Sequence, residues 1–331
     1  MSGRSTVDLP KAHLHLHLEG SMRPETLKEL AESQNKTLEG FWEFEDEYDF
    51  YERYKFASEV ISSLDDLSRI CFELIEDEAG QGVTYSQPGV APQVFVPQLG
   101  SMEDVYAAMQ EGFERASALT GVVVGCMIEV DVSRSSEELE SVATFAAQQR
   151  GRGVDAFGIA TAFDPAPDYR PFARLSQLVK EAGLLFVPHA GEHDGVATIR
   201  DSLTFLHADR IAHGVKAIDD SEVLERLAAE RVACDICPTS NLRLKVVRDV
   251  GALPIPQFLE AGVPLTINAD DQLFFGSKIA DEYALVRETF DLSDEELGTI
   301  ARTSGEVSGA PSNVVAKIRD GVEDWLSSDP S

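Results

Sequence analysis

A chain of 331 residues and 36.2 kDa, 43% hydrophobic and 26% charged, has a soluble globular composition and enough length for a sizeable core. Its formal net charge of −30 and pI near 4.5 argue against nucleic acid and anionic membranes as partners, because both repel so acidic a body. No apolar run approaches a membrane span, and residues 1–10 lack the apolar core of a signal peptide, so a cytoplasmic location is expected.

The first element is His13-Leu14-His15-Leu16-His17-Leu18, followed by Glu19-Gly20. Unbroken alternation predicts a strand whose leucines pack one way while its imidazoles line the other. Histidines two apart on one strand face sit roughly 7 Å apart at Cα, close enough for their ring nitrogens to converge on one ion. A polar strand face satisfied by hydrogen bonds suits one histidine better than three in alternation. This strand is therefore read as half of a metal site.

An amphipathic helix is predicted over 24–34. The segment 41–56 then carries Phe41, Trp42, Phe44, Tyr48, Phe50, Tyr51, Tyr54 and Phe56. Most of these aromatics are read as packing on the main body, and one or two as a lid over a flat ligand. From Leu64 onward helices and strands alternate. Strands are predicted at 83–90, 122–130, 154–162, 184–189, 210–213, 232–237 and 263–269, with helices between them at 64–81, 102–120, 136–150, 170–182, 196–206, 221–229 and 256–261. Counting the first strand, about eight βα units in roughly 270 residues have the rhythm of a closed (β/α)8 TIM barrel, with a doubly wound open sheet as the alternative. Three more helices follow, at 277–291, 294–307 and 311–327. No linker or repeat divides the chain, so 1–331 is expected to be a single domain.

Cys234 and Cys237 have CxxC spacing, but on a strand positions three apart face opposite ways, so both are read as core thiols.

Polar landmarks fall at strand ends, where a barrel places its chemistry: His15 and His17, His189-Ala-Gly-Glu192, His213-Gly214, and Asn268-Ala-Asp-Asp271. Three histidines and a carboxylate suit zinc with a position left open for water, whose pKa such an ion lowers to about 7. Glu192, three residues past His189, can reach a substrate without ligating the ion. His213 can orient hydroxide or stabilise charge. Of Asp270 and Asp271, one can face the ion and the other the ligand.

The motifs Leu14-His-Leu-His-Leu-Glu-Gly20, His189-Ala-Gly-Glu192, Arg210-Ile-Ala-His-Gly214, Cys237-Pro-Thr-Ser-Asn241 and Asn268-Ala-Asp-Asp271 occur in the order found in the adenosine/adenine deaminase family of the amidohydrolase superfamily. On these motifs the sequence resembles that family over residues 14–271. The resemblance implies a TIM barrel holding one zinc ion per chain and replacing the 6-amino group of a small-molecule purine by oxygen. It implies His15, His17, His189 and Asp270 as zinc ligands and Glu192 as the acid that protonates purine N1 as hydroxide attacks C6. It further implies that His213 positions the hydroxide, that Asp271 contacts N7, and that His17 and Glu19 border the substrate. His13 falls outside the ligand pair and is read as a supporting or packing residue. No oligomeric partner is indicated.

The sequence departs from the family pattern at Gln87 and Gly89, where Glu and Arg are common, at Gln272 in place of Pro, at Ala162-Phe163-Asp164, and at Glu19, which is more usual in adenine-type members than in nucleoside-specific ones. These positions bear on substrate identity, so a modified or N6-substituted aminopurine stands as the alternative substrate. A two-metal hydrolase of the same superfamily is a weaker rival, because no lysine lies between Gly121 and Arg170 to bridge the ions, although Glu129 can substitute. The cytidine-type zinc deaminases are excluded, since their H-x-E spacing is one residue shorter than that of His189 and Glu192. A non-catalytic binding barrel is disfavoured by a complete set of ligands and acid.

Overall fold

The computed structural model describes residues 3–160 and 168–328. Ten strand segments run parallel: β1 (Lys11–His13), β2 (Val83–Ser86), β3 (Gly89–Val90), β4 (Val123–Val124), β5 (Cys126–Asp131), β6 (Val154–Ala160), β7 (Leu185–Ala190), β8 (Arg210–His213), β9 (Ala233–Ile236) and β10 (Leu265–Ile267). They pair in the orders β1-β2-β4 and β10-β9-β8-β7-β6-β5-β3. Two bridges, Leu16 to Asp270 and His17 to Gly89, connect the stretch after β1 to the two ends of the longer sheet. The result is the expected TIM-barrel-like fold, with helices around a curled parallel sheet.

The last predicted strand, 263–269, is shorter than expected at Leu265–Ile267, and three others differ in where they end or break. The first ends at His13, because Asn268 Oδ1 accepts from the backbone N–H groups of both Leu14 (2.9 Å) and His15 (3.1 Å), taking the place of a ladder partner. The second breaks between Ser86 and Gly89, where Pro88 has no N–H to donate, although its carbonyl still accepts from Met127 N at 3.0 Å. The third breaks at Gly125, and its register shifts between Cys126 and Met127.

The helix over Met102–Thr120 has its predicted bounds, fixed by a Ser101/Asp104 capping box and by Gly121 in the left-handed region at φ 78°. The three closing helices are Ile279–Phe290, Asp294–Glu306 and Ser312–Ser327. Helices at Glu47–Glu59, Pro92–Leu99 and Pro238–Arg243 were not anticipated. In the first of these, closely spaced aromatics obscure the apolar stripe that marks a helix. Among the described residues no helix is long and apolar enough to cross a membrane.

Inside the barrel, Met127, Ala156, Val187 and Ala212 form a small buried cluster from β5 to β8. Alternation places Glu129, Gly158 and His189 two residues further along the same strands, which is the next layer toward their C-terminal ends. Below lies a fully buried polar floor. Arg210 donates from Nε to Asp235 (2.9 Å) and from Nη2 to Gln87 Oε1 (2.7 Å), and Thr266 donates to Asp235 at 2.8 Å. Gln87 is thereby a structural acceptor for a buried guanidinium, which also donates to the Val307 carbonyl at 3.1 Å.

Candidate active site

His15 and His17 lie just beyond β1, with leucines 14, 16 and 18 fully buried between them as the alternation requires. His189 sits in β7 and Asp270 follows β10, so four groups meet at one mouth of the barrel. The ring of His15 is 5.4 Å from that of His17 and 4.9 Å from that of His189. Asp270 Oδ1 is 3.4 Å from His15 Nε2 and 3.2 Å from His17 Nε2. Donor atoms of His15, His17 and His189 lie within 4.8 Å of one another, as do those of His17, Asp270 and Asp271, and those of His15, His213, Cys237 and Asp270.

Both ring nitrogens of His15 are buried and without a hydrogen-bond partner among the described residues. Such a ring is costly to bury unless it has something to ligate. A nitrogen-rich set with one carboxylate fits zinc.

Backbone strain marks the same place. His213 and Asp270 have φ of +66° and +58°, the left-handed region that non-glycine residues enter at a cost. At Asp270 the turn aims the carboxylate at the histidines, and Ser240 Oγ holds its other oxygen at 2.6 Å. At His213, Asn241 Nδ2 donates to Nδ1 at 3.2 Å, which leaves Nε2 facing Glu192 Oε2 at 3.5 Å. Glu192 Oε1 is buried without a hydrogen-bond partner among the described residues.

Electrostatics separate the carboxyls. Burial, with Asp270, Glu47, Asp194 and Asp271 nearby, pushes Glu192 well above the usual carboxylate range, which favours its protonated form. Burial and the Asp270 charge push Asp271 up as well. Asp270 is held well down, because His15 and His17 outweigh its burial. Burial and the neighbouring His15 bring His189 down to about 4, and they hold His213 well below the usual imidazole value. Neutral imidazoles are the form that binds a metal.

A cavity of about 210 Å³ opens above this cluster, with Phe50, Tyr51 and Tyr54 of the Glu47–Glu59 helix on its wall. Of the other aromatics of this segment, Phe41 (4% exposed, 5.6 Å from the Phe274 ring), Phe44 and Phe56 pack on the main body, whereas Trp42 and Tyr48 are exposed. Glu19 is not on the cavity wall. It is buried behind Tyr54, whose hydroxyl donates to it at 2.8 Å. His13 is held by Glu78 at 2.7 Å and accepts from Ala269 N at 3.1 Å, which makes it a packing residue of the site's floor. Gln272 joins that arrangement through Glu78 Oε1 at 3.3 Å. Ala162-Phe163-Asp164 lie outside the described residues.

Sequence reasoning missed four supporting side chains. Ser240 and Asn241 were quoted in a motif without roles, and the parity of their helix could not be read in advance. Cys237 is buried, as expected of a core thiol, but it follows β9 rather than lying in it, and its sulfur joins the His15, His213 and Asp270 cluster. Tyr54 gave no signal beyond its aromatic neighbours.

A family model described as adenosine deaminase matches residues 10–325. An adenine deaminase of Rhodospirillum rubrum is 32% identical over 91% of this chain and 92% of its own. An aminodeoxyfutalosine deaminase of Streptomyces avermitilis is 30% identical over 96% of this chain and 93% of its own. The crystal structure of an adenine deaminase from Arthrobacter aurescens superposes with a TM-score of 0.87 at 27% identity, covering 97% of this chain and all of that one.

Proposed function

The chain belongs to the adenosine deaminase family of the amidohydrolase superfamily and is a hydrolytic deaminase, and from that premise we propose that it converts a 6-aminopurine, adenine or an adenosine-type nucleoside, and water into the 6-oxopurine and ammonia. The observation that carries the reading is the convergence of His15, His17, His189 and Asp270 beside Glu192 at one barrel mouth. In this reading those four residues hold one zinc ion per chain, and the whole of 1–331 works as one unit.

Such an ion supplies a strong positive charge and a water made acidic enough to act as a nucleophile at neutral pH. The side chains do the rest. His213, its Nδ1 accepting from Asn241, keeps its proton on Nε2 and can donate it as a hydrogen bond that orients the attacking oxygen. Glu192, whose protonated form is favoured by its burial among carboxylates, gives its proton to the ring nitrogen next to the amino-bearing carbon. Asp271, whose protonated form is favoured by burial and by Asp270, can donate to the second ring of the purine. Phe50 and Tyr54 exclude water above the plane of the base.

The burial of Glu19 under Tyr54 favours the free base, since it leaves that carboxylate with no open side toward a sugar. A modified aminopurine is the second reading, supported by the relative named for aminodeoxyfutalosine. The test is ammonia release by zinc-loaded protein from adenine, adenosine, 2′-deoxyadenosine and N6-substituted purines, alongside zinc content per chain. Turnover of none of them, or two tightly held ions per chain, refutes the proposal.

A further inference from the structure

Glu129 is a buried carboxylate for which neither the chemistry above nor the barrel's core has a use. It projects from β5 into the layer that holds His189, and its Oε2 lies 2.8 Å from His17 Nδ1. The other ring nitrogen of His17 faces Asp270 at 3.2 Å, so Glu129 and the candidate metal position stand on opposite sides of one ring. Glu129 Oε1 is 4.0 Å from His189 Nδ1, whose nearer partner is the Ile159 carbonyl at 3.1 Å. One carboxylate from the third barrel position thus stands behind two of the four candidate ligands. Its backbone is held as well, Gln93 Nε2 donating to the Glu129 carbonyl at 2.7 Å.

The neighbouring strands are cut to receive this side chain. A Cβ on Gly89 would overlap Glu129 Oε2, and one on Gly158 would come within 3.1 Å of Cγ and 3.2 Å of Oε1. Neither glycine has a positive φ, so the backbone does not demand glycine at either place. Glycine inside a strand weakens it, and its use there is close approach. Oε1 has no hydrogen-bond partner among the described residues. A carboxylate placed only to fill space would be costly in that state, whereas one set behind a ring that holds a cation has electrostatic compensation.

We propose that Glu129 is a positioning residue of the metal centre: it accepts the Nδ1 proton of His17, fixing the ring and the tautomer that turns an Nε2 lone pair inward. Two glycines, Gly89 and Gly158, form its socket. The inference rests on the reading of His17 as a metal ligand. It also gives the departure at Gly89 a physical reason, since any larger residue there would displace the carboxylate.

The test compares zinc affinity in the wild type, Glu129→Gln and Gly89→Ala, each stripped of metal and titrated with zinc against a chromophoric chelator. Glu129→Gln keeps the shape and an acceptor but removes the charge. Gly89→Ala keeps the charge but pushes the carboxylate off His17. Both are expected to bind zinc about 10- to 100-fold more weakly, while the metal-free Glu129→Gln melts at the wild-type temperature. A merely structural role gives the reverse, a lowered metal-free melting temperature with zinc affinity intact, and overturns the proposal. Wild-type protein that binds zinc and deaminates, with both variants binding zinc equally well, overturns the Glu129 assignment alone. Wild-type protein that takes up no zinc overturns the ligand reading together with it.

Discussion

Replacing Glu192 by glutamine separates proton donation from every other property of the site. Desolvation and the surrounding Asp270, Glu47, Asp194 and Asp271 disfavour the charge of this buried carboxyl and favour its neutral form. Glutamine is therefore close to it in both volume and charge, and it lacks only a proton that can be transferred. A positioned general acid contributes about 10²–10⁴ in rate, or about 3–5 kcal/mol of transition-state stabilisation. That interaction exists only in the transition state, so kcat and kcat/KM fall together while KM stays near its wild-type value. Among the described residues Glu192 belongs to none of the clusters able to hold an ion, and its nearest imidazole atom is His213 Nε2 at 3.5 Å. Zinc affinity is then expected to change by less than about tenfold, or ~1.4 kcal/mol. Ammonia release under saturating substrate, with zinc measured by elemental analysis on the same sample, reads both quantities. A fully zinc-loaded variant with kcat within threefold of wild type shows that the proton comes from elsewhere. Loss of the zinc shows that Glu192 is a ligand.

Two further outcomes follow from the packing. Gly20→Ala puts a methyl group where Asp271 Oδ1 now lies, so kcat/KM is expected to fall by about 10²-fold from misplacement of that carboxyl; wild-type kcat/KM in the variant removes Asp271 from the substrate's contacts. Glu282, pushed up to about 7 by burial against the hydrogen bonds of Ser277 and Thr239, retains a proton in the fold that the unfolded chain loses near 4.5. Its effect is thus to lower stability as pH rises from about 4.5 to 7, by up to about 3 kcal/mol. Urea unfolding of the metal-free protein should show Glu282→Gln gaining on wild type between pH 5 and pH 8. Parallel curves at the two pH values refute it.

Much of the site was legible because its residues sit at fixed offsets on short strands. Period-two alternation put His15 and His17 on one side, with Leu14, Leu16 and Leu18 opposite, and the strand ends of a parallel barrel collect whatever follows them. His189, Glu192, His213, Asp270 and Asp271 could be placed together on that ground, and the family motifs supplied the roles now proposed for them. Element ends were harder to place. The first strand stops at His13 because Asn268, 255 positions away, captures the next two N–H groups. A side chain that substitutes for a ladder partner leaves no mark on local periodicity.

Alternating polarity and strand-end chemistry, both local properties of the chain, determined the barrel, its active mouth and the identity of the groups that line it. Only the tertiary structure decided which side chains stand behind those groups: Glu129 against His17, Ser240 against Asp270, Asn241 against His213 and Tyr54 over Glu19. Each of these contacts joins residues 28 to 112 positions apart on different elements. Their pairing depends on how strands close into a ring and on where two glycines leave space, and neither is written in the spacing of neighbouring residues.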